Sequence, residues 1–344
     1  MDASELVAGL GERVARMLGG SGLMRPPYPP LAVELREDGV TVARVARRGN
    51  RWCLAGHAHH PLPEGTFAAG LMRPRVGDPD AILAAVAAAL RDAGAERASR
   101  ISVALPDTVG RVFLASLAGL PSSRRQALEV LRWHLKKNVP FDPAEARLTW
   151  QVLGRGDDGK EQVLVVLAPD GGISPIEELL EGAGFRVGLV DLASFGLYNA
   201  LRVAGVDDGE VAVDGRRDVA ILSATPRYFS MMILRSGRLI FYRAKNYHLH
   251  GGFQGEESLR VVGREVRSTL SYYEEHLLGE GFARMHVRVV GIPSDGFAEL
   301  LSAADCGEIV EVDPGRVVDG LGDLPREEAL ELLPAVGLAL RRVP

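Results

Sequence analysis

The chain has 344 residues, enough for two domains or for one domain carrying an insertion. Its formal net charge of -5 supplies no overall basic field to draw it onto nucleic acid or anionic lipid, and its two distant cysteines, Cys53 and Cys306, exclude a disulfide framework and fit a reducing compartment. No apolar run is long enough to span a bilayer, and the opening MDASELVAGLGERVARML, with Asp2, Glu5 and Glu12, lacks the apolar centre of a secretory signal, so a cytoplasmic location is expected.

Leu6, Val7, Leu10, Val14, Met17 and Leu18 recur at helical spacing and predict an amphipathic N-terminal helix. Such a helix either packs on its own domain or meets a partner or a membrane surface. A Gly-Gly-Ser-Gly break follows at 19–22, and Pro26, Pro27, Pro29 and Pro30 form a stiff linker, which sets residues 1–30 apart from the body. Strands are expected over 31–35 and 40–46 around the tight turn 36–39, with a third over 52–58. A helix is expected over 81–93, with Ile82, Leu83, Val86 and Leu90 on one face, then a short buried strand over 101–105 that Pro106 ends.

The stretch 111–185 reads differently, as a helix over 123–137, a hairpin over 147–168 and a helix over 174–183. A strand over 187–190 and a helix over 192–203 return to the earlier pattern. A second α/β unit follows. Its strands are expected over 219–223, 228–234 and 239–244, with Ser236-Gly237 as a hairpin turn. A long helix over 256–278, a strand over 287–290, a helix over 297–303 and a closing helix over 327–341 complete it.

Two strand-hairpin-strand units, each followed by helices, resemble the repeated half of the actin and Hsp70 fold. The run LRWHLKKNVPFDPAEARLTWQVL at 131–153, followed by the strand 162–168 and by IEELLEGAGF at 176–185, resembles the small inserted subdomain of the PilM family, actin-like proteins of type IV pilus assembly. The order of VALP at 103–106, NVPF at 138–141, SGRL at 236–239 and the last helix, PAVGLALR at 334–341, carries the same likeness over about 31–341. It implies an α/β, actin/Hsp70-like (ribonuclease H-like) two-lobed fold, with a small inserted α+β subdomain in the first lobe and a reduced second-lobe insertion. The implied division is a helix and Pro-rich linker at 1–30, a first lobe at 31–110 and 186–205, the insert at 111–185, a second lobe at 206–326, and a helix at 327–344 that crosses back to the first lobe.

Actin-like ATPases hold nucleotide between two hairpins that each offer an Asp and a Gly, the Gly for close backbone approach to phosphate and the Asp for Mg²⁺ or water. At the first hairpin the family pattern resembles Asp-Ile-Gly-Ser, and this chain reads Glu34-Leu35-Arg36-Glu37. A carboxylate survives at Glu34, Arg36 replaces the glycine, and Glu37 and Asp38 add like charge. At the second hairpin the matching positions are Ser223, Ala224 and Thr225, followed by Pro226, which has no N–H to give. The adenosine-side turn keeps one glycine, Gly291, and Gly251-Gly252 runs almost directly into the long helix, as if the subdomain that walls the adenine were deleted. A triphosphate would be left without its compensating groups. Neither ATP nor Mg²⁺ is therefore expected as a cofactor, no catalytic residue is assigned, and the likeness implies a pseudo-ATPase.

Other signals are structural. Gly154-Arg155-Gly156-Asp157-Asp158-Gly159 fits G-x-G-x-x-G but joins strand to strand, where a dinucleotide site must open a helix. Cys53, His57 and His59 share a strand face without a fourth ligand, so they read as a polar face, as do the histidines around Tyr247. Arg124, Arg125, Arg132, Lys136 and Lys137 give the insert helix a basic surface that suits a solvated face or an acidic protein better than nucleic acid.

The PilM likeness implies a non-catalytic cytoplasmic scaffold at the inner membrane, held there by the N-terminal tail of a PilN-like bitopic protein. The tail is expected in a groove between the first lobe and the insert, walled by Leu128, Leu131, Trp133 and Leu135. The competing expectations are an actin-like ATPase with atypical phosphate loops, supported by Glu34 alone, and the cytoplasmic domain of a type II secretion platform. The latter family continues into a transmembrane helix, which these 344 residues do not contain.

Overall fold

The computed structural model describes residues 28–71, 75–156, 158–206, 218–247, 253–304 and 306–341. The expected N-terminal helix, the Gly251-Gly252 corner and both histidines near Tyr247, His248 and His250, lie outside them.

The first sheet is built from β1 (Leu31–Leu35), β2 (Gly39–Arg48), β3 (Arg51–Pro61), β6 (Arg100–Leu105) and β10 (Arg186–Leu192), in the order β10-β6-β1-β2-β3. The second is built from β11 (Asp218–Ala224), β12 (Tyr228–Arg235), β13 (Arg238–Asn246), β14 (Phe282–Val289) and β15 (Glu308–Glu311), in the order β13-β12-β11-β14-β15. The two orders are equivalent strand for strand. In each, a three-stranded antiparallel meander is extended by two parallel strands on the side of its first strand. Ser236 and Gly237 both take positive φ, 49° and 70°, and the turn they form suits the right-handed twist of β12 and β13.

Helix α1 (Pro79–Asp92) covers the first sheet, started by Asp78, whose side chain accepts from the Ala81 N–H. A short two-stranded ribbon, β4 (Phe67–Ala68) with β5 (Arg75–Val76), precedes it. In the second lobe α5 (Gly255–Leu277) and α6 (Asp295–Ser302) pack against the sheet around Tyr273, Phe282 and Phe297. Helix α4 (Ala193–Val203) and the closing helix α7 (Arg326–Ala339) lie between the lobes. Every residue of α7 from Leu332 to Ala339 is buried, as befits a helix that is apolar all round.

The insert carries one strand more than its sequence suggests. β7 (Arg111–Leu117), β8 (Ala146–Arg155) and β9 (Glu161–Pro169) form a sheet with β9 in the centre. Val163 and Val165 face α2 (Arg124–Leu135), which seats Leu131 and Leu135 on them. Val166 and Ala168 face the other way, into the core of the first lobe. Helix α3 (Asp170–Gly182) begins four residues before its expected start. Pro175 sits inside it, and Gly171, whose carbonyl Pro175 cannot bond, is exposed to water. Among the described residues no helix is long and apolar enough to cross a membrane.

Candidate functional site

The β1–β2 turn of the first lobe and the β11–β12 turn of the second face each other across the interlobe cleft, each at the end of its central strand. At the first, the Arg36 N–H donates to the Gly39 carbonyl at 2.8 Å, so this amide is already taken. The Arg36 side chain bonds Asp38 at 2.9 Å and Glu331 of α7 at 3.1 Å and lies in the cleft. Glu37 accepts from the Ala69 N–H at 2.8 Å and pairs across the lobes with Arg227 at 3.3 Å.

The second turn is closed on itself. The Thr225 N–H and hydroxyl both donate to the Tyr228 carbonyl, at 3.0 and 2.8 Å, and the Tyr228 N–H donates back to Thr225 Oγ1 at 3.2 Å. The Thr225 carbonyl accepts from the Tyr247 hydroxyl at 2.9 Å. Gly291 keeps its positive φ of 67°, but Pro226 packs against it, with Cγ 3.0 Å from where a Cβ would stand.

Beneath the turns lies a group that the sequence did not single out. Arg288 of β14 is 2% exposed. It donates to Ser223 Oγ at 2.9 Å and to the Leu330 carbonyl of α7 at 2.8 Å. Glu34, also 2% exposed, lies near it, and its Oε2 has no hydrogen-bond partner. Burial pushes the Glu34 carboxyl up to about 7, against the pull of Arg36 and Arg288. Arg284, His286 and Arg288 alternate along β14 and read as one polar, solvent-facing row. Only the closing helix, far away in sequence, turns the last of them into a buried residue.

Asp107 forms a third interlobe contact. Its Oδ1 accepts from the Ser194 N–H at 3.2 Å, from the Ser194 hydroxyl at 2.5 Å and from the Tyr242 hydroxyl at 2.8 Å. The Tyr198 hydroxyl donates to the Gly237 carbonyl at 3.1 Å. What remains of the cleft, between Arg36, Glu37, Asp38, Thr225, Arg227 and Tyr228, is about 20 Å³, room for one water molecule. The residues present do not fit a triphosphate: the Arg36, Thr225 and Tyr228 amides are bonded, guanidinium groups fill the approach, and Glu37 and Asp38 face it. Among the described residues no cluster of His, Cys, Asp or Glu could hold a metal ion. Cys53 instead bonds the Ala46 carbonyl, His57 meets Glu328 and His60 meets Asp92.

The Glu34 environment gives a measurable pH signature. Its carboxyl is held above its unfolded value of 4.5, so the unfolded chain binds fewer protons between about 4.5 and about 7. The contribution of Glu34 to stability is therefore full below 4.5 and falls as pH rises to about 7. Glu34→Gln should gain on the parent across that window by about 3 kcal/mol. Urea unfolding of both proteins at several pH values checks this, and a difference that stays constant would refute it.

A second and larger cavity, about 290 Å³, lies between the first lobe and the insert. Its walls are apolar, among them Val109, Leu148, Val166, Ile173, Leu189 and Leu192. Arg147, Glu177 and Asp191 are the charged groups on its lining, and each is already paired: Arg147 with Asp170 at 2.6 Å and with Glu177, Asp191 with Arg341. β10 and β8, which contribute to it, are both edge strands.

The residues expected to wall this groove lie elsewhere. Leu131 and Leu135 are in the insert's own core, Leu128 is half-buried and Trp133 points to solvent. The apolar face of α2 covers the side of the insert sheet opposite the first lobe, so none of the four reaches the cavity. One stripe of leucines fits either face of a sheet equally well, and the helical period does not distinguish them.

No family model and no curated protein matches the sequence. Solved structures do. A chain of the PilM-PilN type IV pilus biogenesis complex superposes with a TM-score of 0.70 at 21% identity, over 90% of this chain and 96% of that one. A Bacteroides thetaiotaomicron protein with an actin-like ATPase fold gives 0.43 at 12% identity, over 83% and 90%. The cytoplasmic domain of EpsL, an inner membrane component of the type II secretion system of Vibrio cholerae, gives 0.44 at 11% identity, over 81% and 94%. With its two equivalent five-stranded sheets, its inserted three-stranded sheet and its likeness to the PilM-PilN chain, this protein has the actin-like fold.

Proposed function

We propose that this protein is a nucleotide-independent, non-catalytic scaffold of type IV pilus assembly that binds the N-terminal tail of a PilN-like bitopic protein in the groove between the first lobe and the insert. The contrast between the two cavities carries the reading. The interlobe cleft is narrowed by Arg36 and Arg227, whereas the lobe–insert groove is open, apolar and flanked by two strand edges. An extended peptide gains main-chain hydrogen bonds at such an edge and specificity from alternate side chains set into apolar pockets. The likeness to the PilM-PilN chain supplies the kind of partner. Attachment to the inner membrane follows indirectly, through that partner, and the protein works on the cytoplasmic side.

Thr149 lies on the groove lining and is exposed. Thr149→Arg places a long cation in the groove without touching the core, and should weaken binding of a synthetic partner-tail peptide by more than about tenfold. Leu131 is no probe of the groove, because an acidic group there would bury a charge in the insert core. Titration of the peptide into folded Thr149→Arg protein decides the matter, and parental affinity would remove the groove from the account.

A further inference from the structure

The outer face of α2 takes no part in either cavity. Leu131, Ala127 and Leu135 turn inward, and Trp133 stands on the opposite side with 79% of its surface exposed. At 100° per residue, Gln126, Glu129 and Val130 all project within roughly 60° of Trp133, and Lys136 and Lys137 stand in the turn that directly follows the last helical residue, Leu135. Val130, Lys136 and Lys137 are exposed, and Arg125 beside them pairs with Glu129 at 3.5 Å. The segment 123–138 holds Arg124, Arg125, Arg132, Lys136 and Lys137 against a single carboxylate, Glu129, in a chain of net charge -5.

We infer that this face of the insert rests on an anionic lipid bilayer, with Trp133 at headgroup depth and Lys136 and Lys137 on the lipid phosphates. A largely exposed indole on the outer face of a helix matches the interfacial preference of tryptophan, which has an apolar body and one polar N–H. Lysines reach an anionic surface along flexible stems and each adds to the attraction. Protein–protein interfaces, in contrast, are depleted in lysine. The remaining surface of an acidic chain is repelled by anionic lipid, so the basic patch would also fix the orientation. This contact is separate from the peptide groove, because α2 lies on the other face of the insert sheet.

The test uses the full chain and vesicles alone, with no partner protein. Flotation with phosphatidylcholine vesicles is compared with flotation on vesicles that also contain phosphatidylglycerol. The protein should float with the anionic vesicles and shift its tryptophan emission to the blue, and added salt should weaken both effects. Trp133→Phe should lose the emission shift although Trp52 and Trp150 remain. Lys136→Glu/Lys137→Glu should bind at least about thirtyfold more weakly. Parental binding by the charge-reversed protein would overturn the inference, as would an emission shift that survives Trp133→Phe. Failure of the parent to float would overturn it too, and would leave an acidic protein as the occupant of this face.

Discussion

Gly337→Leu is expected to destabilise the protein by at least about 3 kcal/mol, or to prevent it from folding. A Cβ at Gly337 would stand 1.8 Å from the Gly196 carbonyl oxygen and 2.7 Å from the Ala200 nitrogen. Gly196 makes the reciprocal approach, with a Cβ position 2.3 Å from the Pro334 carbonyl. These neighbours are backbone atoms of two helices, so no rotamer change relieves the overlap and α4 and α7 must separate. Their separation would open the core that joins the lobes, where Ala200, Leu201, Leu333 and Val336 pack together. Soluble yield and the denaturant midpoint of the purified variant measure the effect. An unchanged midpoint would mean that the helices do not cross in this contact.

Arg288→Ala should cost about 3–5 kcal/mol, because it leaves the buried Glu34 with Arg36 as its remaining cationic neighbour and strips a donor from both Ser223 and the Leu330 carbonyl. Arg288 is held by the first lobe's field, a second-lobe hydroxyl and the closing helix, so it joins three parts of the molecule. Arg288→Met combined with Glu34→Gln should recover much of the loss, since an apolar chain of similar length beside a neutral amide removes both charges together. Chemical unfolding of Arg288→Met, of Glu34→Gln and of the double that combines them gives the coupling energy. A loss under about 1 kcal/mol for Arg288→Ala would show the network to be peripheral.

Much of this fold is legible from local pattern. The duplicated meander shows in the apolar strands at 31–35 and 219–223, each followed by a turn and an alternating partner, and the Ser236-Gly237 turn announces its own geometry. Strand β15, Glu-Ile-Val-Glu, is too short and too charged at its ends to stand out, yet it completes the equivalence of the two sheets. β7 holds Val112, Phe113 and Leu114 in a row, so its two faces, one toward β13 and the first lobe and one toward α2, are masked as a simple apolar run.

The site divides in the same way. The resemblance alone implies, residue by residue, a hairpin glycine replaced at Arg36 and a carboxylate replaced at Ser223. The ion pairs of Arg36 with Glu331 and of Glu37 with Arg227 join positions that are remote in the chain, and no local pattern contains them. The same holds for the groove: the leucines of α2 show an apolar face, and only the packing of β9 reveals that the face is spent on the insert itself.

The most direct test of the account is the affinity of the full chain for the N-terminal tail peptide of its candidate bitopic partner, measured by calorimetry with and without MgATP. The account predicts binding of the same strength in both buffers, lost in Thr149→Arg, and no heat from MgATP alone. Peptide binding that requires MgATP, or a saturable MgATP titration in the absence of peptide, would contradict it and would return Glu34 and the turn at Thr225 to the role of a nucleotide site.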